Sequence, residues 1–283
     1  MRVNSAVFAR WRRQSSCCCA EYPSQQIGTL SSPAAFRVCV IVPVYDHHQA
    51  LTRLVDALRT TGLTCWLVDD GSHARCAQAV QALCAENQEW LQRLRLERNQ
   101  GKGGAVLAGL RAAQAAGFTH AVQIDADLQH DPSRIGEFVA AAERHPAAVI
   151  NGVPQYDASV PAVRLHGRRI TTVLVWLNTL SLQIADAMCG FRLYPIAPAV
   201  ALDDQVHIGR RMEFDAEIIV RLFWAGTPVV NLPTPVTYPA DGISHFRMLR
   251  DNLRITGLHF RLFAGMLIRL PRLLPRRLAG KAP

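Results

Sequence analysis

The stretch FRVCVIVPVYDHHQALTRLVDALRTTGLTCWLVDDGS, residues 36–72, holds two short apolar runs on either side of an amphipathic segment. The first run ends near Val44, is rich in β-branched residues and predicts a buried strand. Apolar residues then recur at helical spacing from Leu51 to Leu58, and the second run ends in Asp69 and Asp70. Strand, helix and strand in this order predict a parallel pair, the repeating unit of a doubly wound α/β sheet.

The alternation of strands and helices continues along the chain. The further predicted elements are a helix near 77–83, a strand at 91–96, an Ala-rich helix after a glycine turn, a strand before Asp125, a helix to about Glu143 and a strand at 147–152. An irregular region to about Arg169, an apolar helix over 170–182 and an amphipathic helix ending at Gly226 follow. The predicted fold class is therefore α/β, with one mostly parallel sheet flanked by helices.

Polar side chains follow the ends of several predicted strands. Because ligands of doubly wound sheets bind outside the carboxyl ends of the strands, we expect these side chains to converge on a nucleotide site. They are Tyr45, Asp46, Asp69, Asp70, Asp125 and Asp127.

The segment QIDADLQHDP, residues 123–132, places two carboxylates two residues apart after an apolar run. Asp125 and Asp127 would project to the same side of an extended chain, where hard oxygen ligands can hold a divalent ion together with a diphosphate. The alternative is a solvated turn, and Asp131 before Pro132 is itself expected to cap the next helix.

The glycine-rich segment NQGKGGA, residues 99–105, resembles a phosphate loop but matches neither common pattern. Leu96 stands where a Walker motif needs Gly, Gly103 follows Lys102 where Ser or Thr is needed, and Val106 breaks GxGxxG. A helix N-terminus with Lys102 could still face an anion.

Charge is concentrated at the two ends of the chain. Residues 1–20 carry four basic and no acidic groups, residues 247–283 carry nine and one, and the whole chain has a net charge of +9, so the middle is slightly acidic. This distribution argues against a nucleic-acid-binding face and favours an anionic membrane surface. We expect a basic leader at 1–35, a catalytic domain at 36–246 and a basic tail at 247–283.

The tail is predicted to be an amphipathic helix from about Leu249 to Leu270 that lies in the membrane interface and is interrupted by Pro271 and Pro275. Its arginines lie on one side, and Leu253, Leu262, Phe263, Met266 and Leu267 occupy much of the other. The alternative is that this apolar face packs on the catalytic domain. The chain has no uncharged apolar stretch of the roughly 20 residues that a membrane span needs.

Eight cysteines without a CxxC pair indicate a reducing, cytosolic setting. Together with the basic tail, this predicts a peripheral protein on the cytoplasmic face of a membrane. Cys39 and Cys65 lie in apolar runs and are expected in the core.

Six motifs occur in the order seen in family 2 glycosyltransferases of the GT-A fold. Within that family, the set resembles the polyprenyl- or dolichyl-phosphate sugar synthases most. They are VIVPVYDH, LVDDGS, NQGKGGAVLAGL, QIDADLQHDP, CGFRLYP and EFDAEIIVRL. The resemblance implies a metal-dependent, inverting transfer of a sugar from a UDP- or GDP-sugar, with Mg²⁺ or Mn²⁺, to a lipid or lipid-phosphate acceptor.

The resemblance also implies roles for particular positions. Pro43 and Tyr45 match the nucleobase pocket, with Asp69 or Asp70 contacting the nucleoside. The donor and metal segment is matched by Asp125, Ala126, Asp127 and Gln129. His245 stands where relatives have Lys in a loop that closes on the donor phosphates, and it either completes the metal shell or is a plain loop histidine.

The acceptor decides which further residues are needed. A lipid phosphate is already anionic, whereas a hydroxyl needs a base, for which Asp215 and Glu217 are the candidates and Asp186 the third. Four arginines are candidates for binding an acceptor phosphate: Arg164, Arg168, Arg169 and Arg192.

Two other functions remain open at this point. A nucleotidyltransferase acting on sugar phosphates would normally carry a glycine-rich signature with Arg after the first strand, which VPVYDHHQA lacks. A non-catalytic membrane adaptor would bind no nucleotide sugar.

Overall fold

The computed structural model describes residues 35–156, 160, 162–237 and 248–278, with the side chains of 162–164, 248–249 and 276–278 outside the description. The strands are β1 (Val38–Val44), β2 (Thr64–Asp69), β3 (Leu91–Arg95), β4 (His120–Gln123), β5 (Val149–Tyr156), β6 (Arg192–Pro195) and β7 (Val229–Val236). The helices are α1 (His48–Arg59), α2 (Ala74–Glu86), α3 (Lys102–Ala115), α4 (Ile135–Arg144), α5 (Ala162–Thr179), α6 (Ile196–Gln205), α7 (Phe214–Ala225) and α8 (Met248–Leu278), with a 3₁₀ turn at Pro132–Arg134.

The described strands form one sheet in the order β3-β2-β1-β4-β6-β5-β7. Strands β1 to β4 are parallel to one another, β6 runs antiparallel to both β4 and β5, and β7 is parallel to β5. This confirms the predicted α/β class with a mostly parallel sheet. The antiparallel β6 and the edge strand β7 had no counterpart in the sequence-based prediction.

The core lies on both faces of the sheet. Alternate residues of β1 point to opposite sides, so that Cys39 and Ile41 pack in one cluster while Val40 and Val42 pack in the other. Helices α1, α2 and α4 cover the second face, and α3, α6, α7 and α8 contribute to the first. The chain therefore forms three layers, helix, sheet and helix.

Local sequence explains several boundaries. Asp131, predicted to cap the next helix, instead caps the 3₁₀ turn that leads into α4 by accepting a hydrogen bond from Ser133 N at 2.9 Å. Gly226 ends α7 in the left-handed conformation with φ 96°, which is the predicted end of that helix. Cys39 and Cys65 are buried and unpaired, in agreement with their predicted core positions.

The structure corrects two predicted boundaries. Helix α5 begins at Ala162 rather than near Ile170, because polar and basic residues at its start conceal a helix whose apolar spacing is clear only further on. Helix α8 continues through Pro271 and Pro275 to Leu278, and the prediction that the prolines interrupt it is wrong. A proline removes one intrahelical hydrogen bond, and here the packing of the buried Leu273 on the core helps to maintain the helix.

The apolar residues predicted to share one side of α8 fall on two sides. Leu262 and Met266 are buried against the domain, whereas Leu253, Phe263 and Leu267 are exposed. Helix α8 therefore packs on α5 and α7 with one face and leaves a second apolar face in solvent. Among the described residues, no helix combines the length and the hydropathy required to span a bilayer.

Candidate active site

The strand order of the sheet reverses between β1 and β4. The chain passes from β1 to β2 on one side, while β4 pairs with β1 on the other. Gln123, the last residue of β4, pairs with Ile41 of β1. The last three residues of β1 therefore pair with β2 alone. In doubly wound sheets the ligand crevice lies at such a switch point. The residues that follow β1 and β4 border this crevice.

Lys102, the first residue of α3, joins two carboxylates beside the crevice. Its Nζ lies 2.7 Å from Asp125 Oδ2 and 2.8 Å from Asp215 Oδ2. Burial acts to lower the pKa of Lys102, but the two carboxylates outweigh it and raise the pKa above its ordinary value. The anion that Lys102 faces within the described chain is thus the protein's own pair of carboxylates.

Asp70 holds the glycine turn before α3 against the end of β2. Its carboxylate accepts hydrogen bonds from Gln100 N at 2.7 Å and from Gly101 N at 2.8 Å. Gly101 has φ 94°, and a Cβ there would overlap a neighbouring carbonyl oxygen, so the turn requires glycine. Burial raises the pKa of Asp70 to about 6, although the two backbone hydrogen bonds oppose the rise. Asp70 binds Gly101, and the next residue, Lys102, binds Asp125. The two aspartates, one after the end of β2 and one after the end of β4, therefore lie at the same edge of the sheet.

Asp125 and Asp127 have opposite electrostatic environments although they are two residues apart. Burial acts to raise the pKa of Asp125, but the charge of Lys102 and its hydrogen bond bring the pKa below its ordinary value. Burial and the charge of Asp125 raise the pKa of Asp127 to about 6, against the hydrogen bond from Gln129 N at 3.0 Å. Asp127 is therefore charged at neutral pH only at an energetic cost.

These two carboxylates fit a divalent cation. Asp125 Oδ1 is buried without a hydrogen-bond partner among the described residues, and the like charge on Asp127 lies close to it. Hard cations prefer carboxylate oxygens, and Mg²⁺ usually completes its shell with water and substrate phosphates. Within the described ranges no three His, Cys, Asp or Glu side chains form a metal site by themselves.

The segment between α5 and β6 packs directly on the Lys102–Asp125 pair. A Cβ on Gly190 would overlap both Asp125 Oδ2 and Lys102 Nζ. Earlier in the segment, Asp186 Oδ1 accepts two backbone N–H hydrogen bonds at 2.8 Å, and its Oδ2 lies 3.1 Å from Arg168 Nε. Arg168 of α5 is thereby attached to the segment that covers the acidic cluster.

Asp215 is bound through both of its carboxylate oxygens. Oδ2 pairs with Lys102, and Oδ1 accepts a hydrogen bond from Gln123 Nε2 at 3.1 Å. Arg192 of β6 is fully buried, donates to Asn151 Oδ1 at 2.8 Å and also donates to the Asp215 carbonyl oxygen. Arg192 therefore fastens the start of α7 to the sheet.

Glu217 lies on another side of α7, because residues two apart on a helix differ by about 200°. Its Oε1 is 2.7 Å from Arg221 NH2, and its Oε2 accepts a hydrogen bond from Gly209 N at 2.9 Å and lies 3.5 Å from Arg261 of α8. Glu217 is 1% exposed. The structure does not bring it together with the Lys102 cluster.

The remaining predicted site residues are placed as follows. Asp69 is buried, pairs with Arg95 and accepts a hydrogen bond from Ser72 N at 2.9 Å, so it stabilises the turn after β2. Pro43 near the end of β1 and Tyr45 directly after it are partly buried beside the crevice, and Ala126 is buried. Arg169 is exposed on α5, whereas His245 and the side chain of Arg164 lie outside the described residues.

Sequence reasoning missed Gly190 and the attachment of Lys102 to Asp215. Gly190 lies within the motif CGFRLYP, where a glycine before a strand was a signal of close approach. The sequence-based prediction also assigned no role to His130, which is buried and neutral because burial lowers its pKa to about 4. His130 Nε2 lies 3.8 Å from Cys189 Sγ, next to Gly190 in the same segment.

This architecture, with acidic residues at the switch point of a mostly parallel sheet, is that of a GT-A glycosyltransferase. The chain belongs to glycosyl transferase family 2, whose family model matches residues 39–197. The activity is accordingly that of a glycosyltransferase, enzyme class 2.4.

Similar proteins include curated relatives from archaea and bacteria. An uncharacterized protein of Methanocaldococcus jannaschii is 24% identical over 211 residues, covering 72% of this chain and 90% of that protein. The undecaprenyl-phosphate 4-deoxy-4-formamido-L-arabinose transferase of Shewanella sediminis is 28% identical over 163 residues, covering 56% of this chain and 47% of the relative. Its counterpart in Pseudomonas fluorescens is 35% identical over 166 residues, covering 56% and 46%. The chain thus spans less than half the length of these two transferases.

Solved structures share the fold at low identity. Staphylococcus aureus TarS 1–349 in complex with UDP-GlcNAc has a TM-score of 0.56 at 16% identity, covering 87% of this chain and 74% of that one. Glucosyl-3-phosphoglycerate synthase from Mycobacterium tuberculosis, in complex with phosphoglyceric acid, has a TM-score of 0.56 at 13% identity, covering 83% and 80%. The mannosyltransferase PcManGT from Pyrobaculum calidifontis, in complex with GDP-Man and Mn²⁺, has a TM-score of 0.50 at 15% identity, covering 84% and 65%.

Proposed function

We propose that this chain transfers a sugar, with inversion, from a nucleotide sugar to a lipid phosphate of the polyprenyl-phosphate class at a membrane surface. The names of the undecaprenyl-phosphate transferases that it resembles support a lipid-phosphate acceptor. Structural neighbours in complex with UDP-GlcNAc, or with GDP-Man and Mn²⁺, support a nucleotide-sugar donor with a divalent cation.

The observation that carries the choice of a phosphate acceptor is that every predicted general base is already occupied. Asp215 uses its two oxygens for Lys102 and Gln123, Glu217 is paired with arginines, and Asp186 binds Arg168 and two backbone N–H groups. A hydroxyl acceptor needs a free carboxylate to take its proton, whereas a phosphate is already an anionic nucleophile. The geometry therefore favours an acceptor that needs no base.

In this mechanism Asp127 is the main metal ligand, with Asp125 Oδ1, Gln129 and His245 as further candidate ligands. A bound Mg²⁺ or Mn²⁺ would neutralise charge on the leaving diphosphate. Lys102 fixes the orientation of Asp125 through its ion pair, and Asp70 holds the glycine turn that positions Lys102.

The donor base and the acceptor would occupy opposite sides of the acidic cluster. Pro43 and Tyr45, next to the turn that Asp69 stabilises, would border the nucleobase. Arg168 would orient the acceptor phosphate through its guanidinium group, at a position that the Asp186 pair already fixes. The acceptor would then attack the anomeric carbon from the face opposite the diphosphate, which inverts the configuration.

One further carboxylate near the start of α7 keeps the alternative of a hydroxyl acceptor testable. Glu213 is buried, packs against Gly209, and its Oε2 has no hydrogen-bond partner among the described residues. If the acceptor were an alcohol, Glu213 would be the available base.

The test offers matched acceptors to the full chain in detergent. UDP-GlcNAc or GDP-mannose with Mn²⁺ is combined with undecaprenyl phosphate or with undecaprenol, and release of nucleoside diphosphate and formation of glycosylated lipid are measured. We expect transfer to the phosphate alone, loss of transfer with EDTA and in Asp127→Asn, and retention in Asp131→Asn, which changes an exposed carboxylate nearby. A donor panel extends the assay if neither sugar is accepted.

Three outcomes would contradict the proposal. Transfer to undecaprenol that is lost in Glu213→Gln would indicate a hydroxyl acceptor. Full activity in Asp127→Asn would remove the metal-binding role of Asp127. Formation of nucleoside triphosphate from nucleotide sugar and pyrophosphate would indicate a nucleotidyltransferase instead.

A further inference from the structure

Exposed large apolar side chains are confined to one region of the described chain. All of them lie on α5, just after it, or on α8: Ile170, Val173, Leu177, Leu182, Leu253, Phe260, Phe263, Leu267, Ile268 and Leu274. Scattered exposed apolar residues are normal for a soluble protein, but a cluster of this kind indicates an interaction surface. We refer to these ten side chains as the α5–α8 apolar surface.

Helix α8 is apolar on two sides. At about 100° per residue its six exposed apolar side chains fall within an arc of about 140°. The arc is centred roughly opposite the buried face that carries Leu258, Leu262 and Met266. Docking on the domain therefore accounts for one apolar face of α8 and leaves the other without a partner in the described structure.

Helix α5 presents a second stripe. Ile170, Val173 and Leu177 fall within about 60° of one another and are 63%, 57% and 46% exposed. The two helices are in contact, with Asn178 Nδ2 3.4 Å from His259 Nδ1, so the stripes lie on adjacent elements. The amphipathic pattern of the tail alone did not predict a contribution from α5.

Charge indicates what covers this surface. Exposed or half-buried Arg250, Arg254, Arg261 and Arg272 fall within about 40° of one another, beside the apolar arc of α8. The only acidic residue of 247–283, Asp251, is buried and paired with Arg254. A second copy of the chain would bring two strongly positive tails together, whereas anionic lipid headgroups would attract the arginines while acyl chains bury the apolar stripes.

We propose that the α5–α8 apolar surface docks the enzyme on an anionic lipid bilayer, with α5 and α8 both inserted at the level of the headgroups. The inference deepens the proposed function, because it places the acceptor's membrane beside the acceptor site. Leu182 of this surface precedes Asp186 by only four residues, and Arg168, which pairs with Asp186, precedes Ile170 by two. A lipid phosphate at the headgroup level would thus lie near the segment that covers Lys102 and Asp125.

The test measures binding of the full chain to phosphatidylcholine vesicles with and without phosphatidylglycerol, by flotation. We expect binding to the anionic vesicles, weak binding to the neutral ones, and a decrease with added salt. Val173→Glu on α5 and Phe260→Glu on α8 should each weaken partitioning by about tenfold or more, since each removes an exposed apolar side chain that the bilayer would bury and adds an unfavourable charge. The matched control Ala82→Glu, at an exposed position of α2, should stay within about twofold of the wild type.

Several results would overturn the inference. The first is no binding to anionic vesicles, and the second is an equal effect of Val173→Glu and Ala82→Glu on that binding. The third is a wild-type dimer in light scattering that Val173→Glu dissociates, which would identify a second copy of the chain as the occupant of the surface. Thermal shift with Mn²⁺ and the same donors, UDP-GlcNAc, GDP-mannose and the wider donor panel, without lipid, reports donor binding separately. Vesicle binding without donor binding would refute the proposed function alone, and donor binding without vesicle binding would refute the docking surface alone.

Discussion

Replacing the two carboxylates of the acidic motif by amides should change stability in opposite directions. The pKa of Asp127 is raised from 3.8 to about 6, so the folded protein binds this proton more tightly than the unfolded chain does. Stability is therefore lost as pH rises through that interval, by about 3 kcal/mol at most. Because the carboxylate is partly exposed to water, we expect Asp127→Asn to regain about 2 kcal/mol at pH 7.5. At pH 4.5, where Asp127 is protonated in the folded protein, the gain should be about 1 kcal/mol or less.

Asp125→Asn should have the opposite effect. The pKa of Asp125 is lowered because the ion pair with Lys102 outweighs burial, so its charge contributes stability above the unfolded pKa, and this contribution is lost as pH falls. Removing one partner of a fully buried pair costs about 3–5 kcal/mol. Here Lys102 keeps Asp215, and Asp125 is 25% exposed, so we expect a loss of about 2 kcal/mol at pH 7.5.

Urea unfolding at pH 7.5 and pH 4.5, in EDTA to keep metal away, measures both effects, and the transfer assay should show both variants to be inactive. The reasoning would be refuted if Asp127→Asn were less stable than the wild type at pH 7.5. A gain equal at both pH values would also refute it, because a gain from removing a titrating charge must depend on pH.

Two further substitutions test the surroundings of the acidic cluster. Gly190→Ala places a methyl group against Asp125 and should cost about 1–3 kcal/mol of stability and most of the activity. The control Gly136→Ala on α4, where the methyl group meets nothing within 4 Å, should be neutral or slightly stabilising. Thermal unfolding and the transfer assay measure both variants. Arg168→Ala should lower kcat/KM for undecaprenyl phosphate by about tenfold or more, whereas Arg169→Ala, at an exposed position, should lower it by much less. Equal losses in the two variants would contradict the assignment of Arg168 to the acceptor phosphate.

The strand ends were predictable because their signals are local. A short apolar run rich in β-branched residues favours a buried strand, and the carboxyl ends of parallel strands share one edge of the sheet. Asp70 and Asp125 were therefore expected at the same edge of the sheet once the parallel order was recognised. The position of Lys102 in the glycine turn was equally evident, because the turn opens a helix at that same edge.

The partner of Lys102 was not predictable, because it depends on packing between distant segments. Asp215 reaches Lys102 only after β6 inserts antiparallel between β4 and β5 and α7 is fastened to the sheet through Arg192. No local pattern encodes that insertion. The same limit applies to α8, whose amphipathic pattern allowed either membrane contact or docking on the domain. The sequence could not show that one apolar face of α8 packs on the domain while a second apolar face stays exposed.

Helix periodicity does allow one inference about the acceptor that the sequence alone left open. Asp215 and Glu217 lie about 200° apart on α7, so they cannot both face one site. The spacing of Glu217 and Arg221 is that of an i,i+4 ion pair, and the structure adds Arg261 from α8 to that pair. Glu217 thus connects α7 to the tail, and Asp215 connects α7 to Lys102. With both carboxylates used to hold helices in place, neither is free to deprotonate a hydroxyl acceptor, which supports the proposed phosphate acceptor and leaves Glu213 as the carboxylate that tests the alternative.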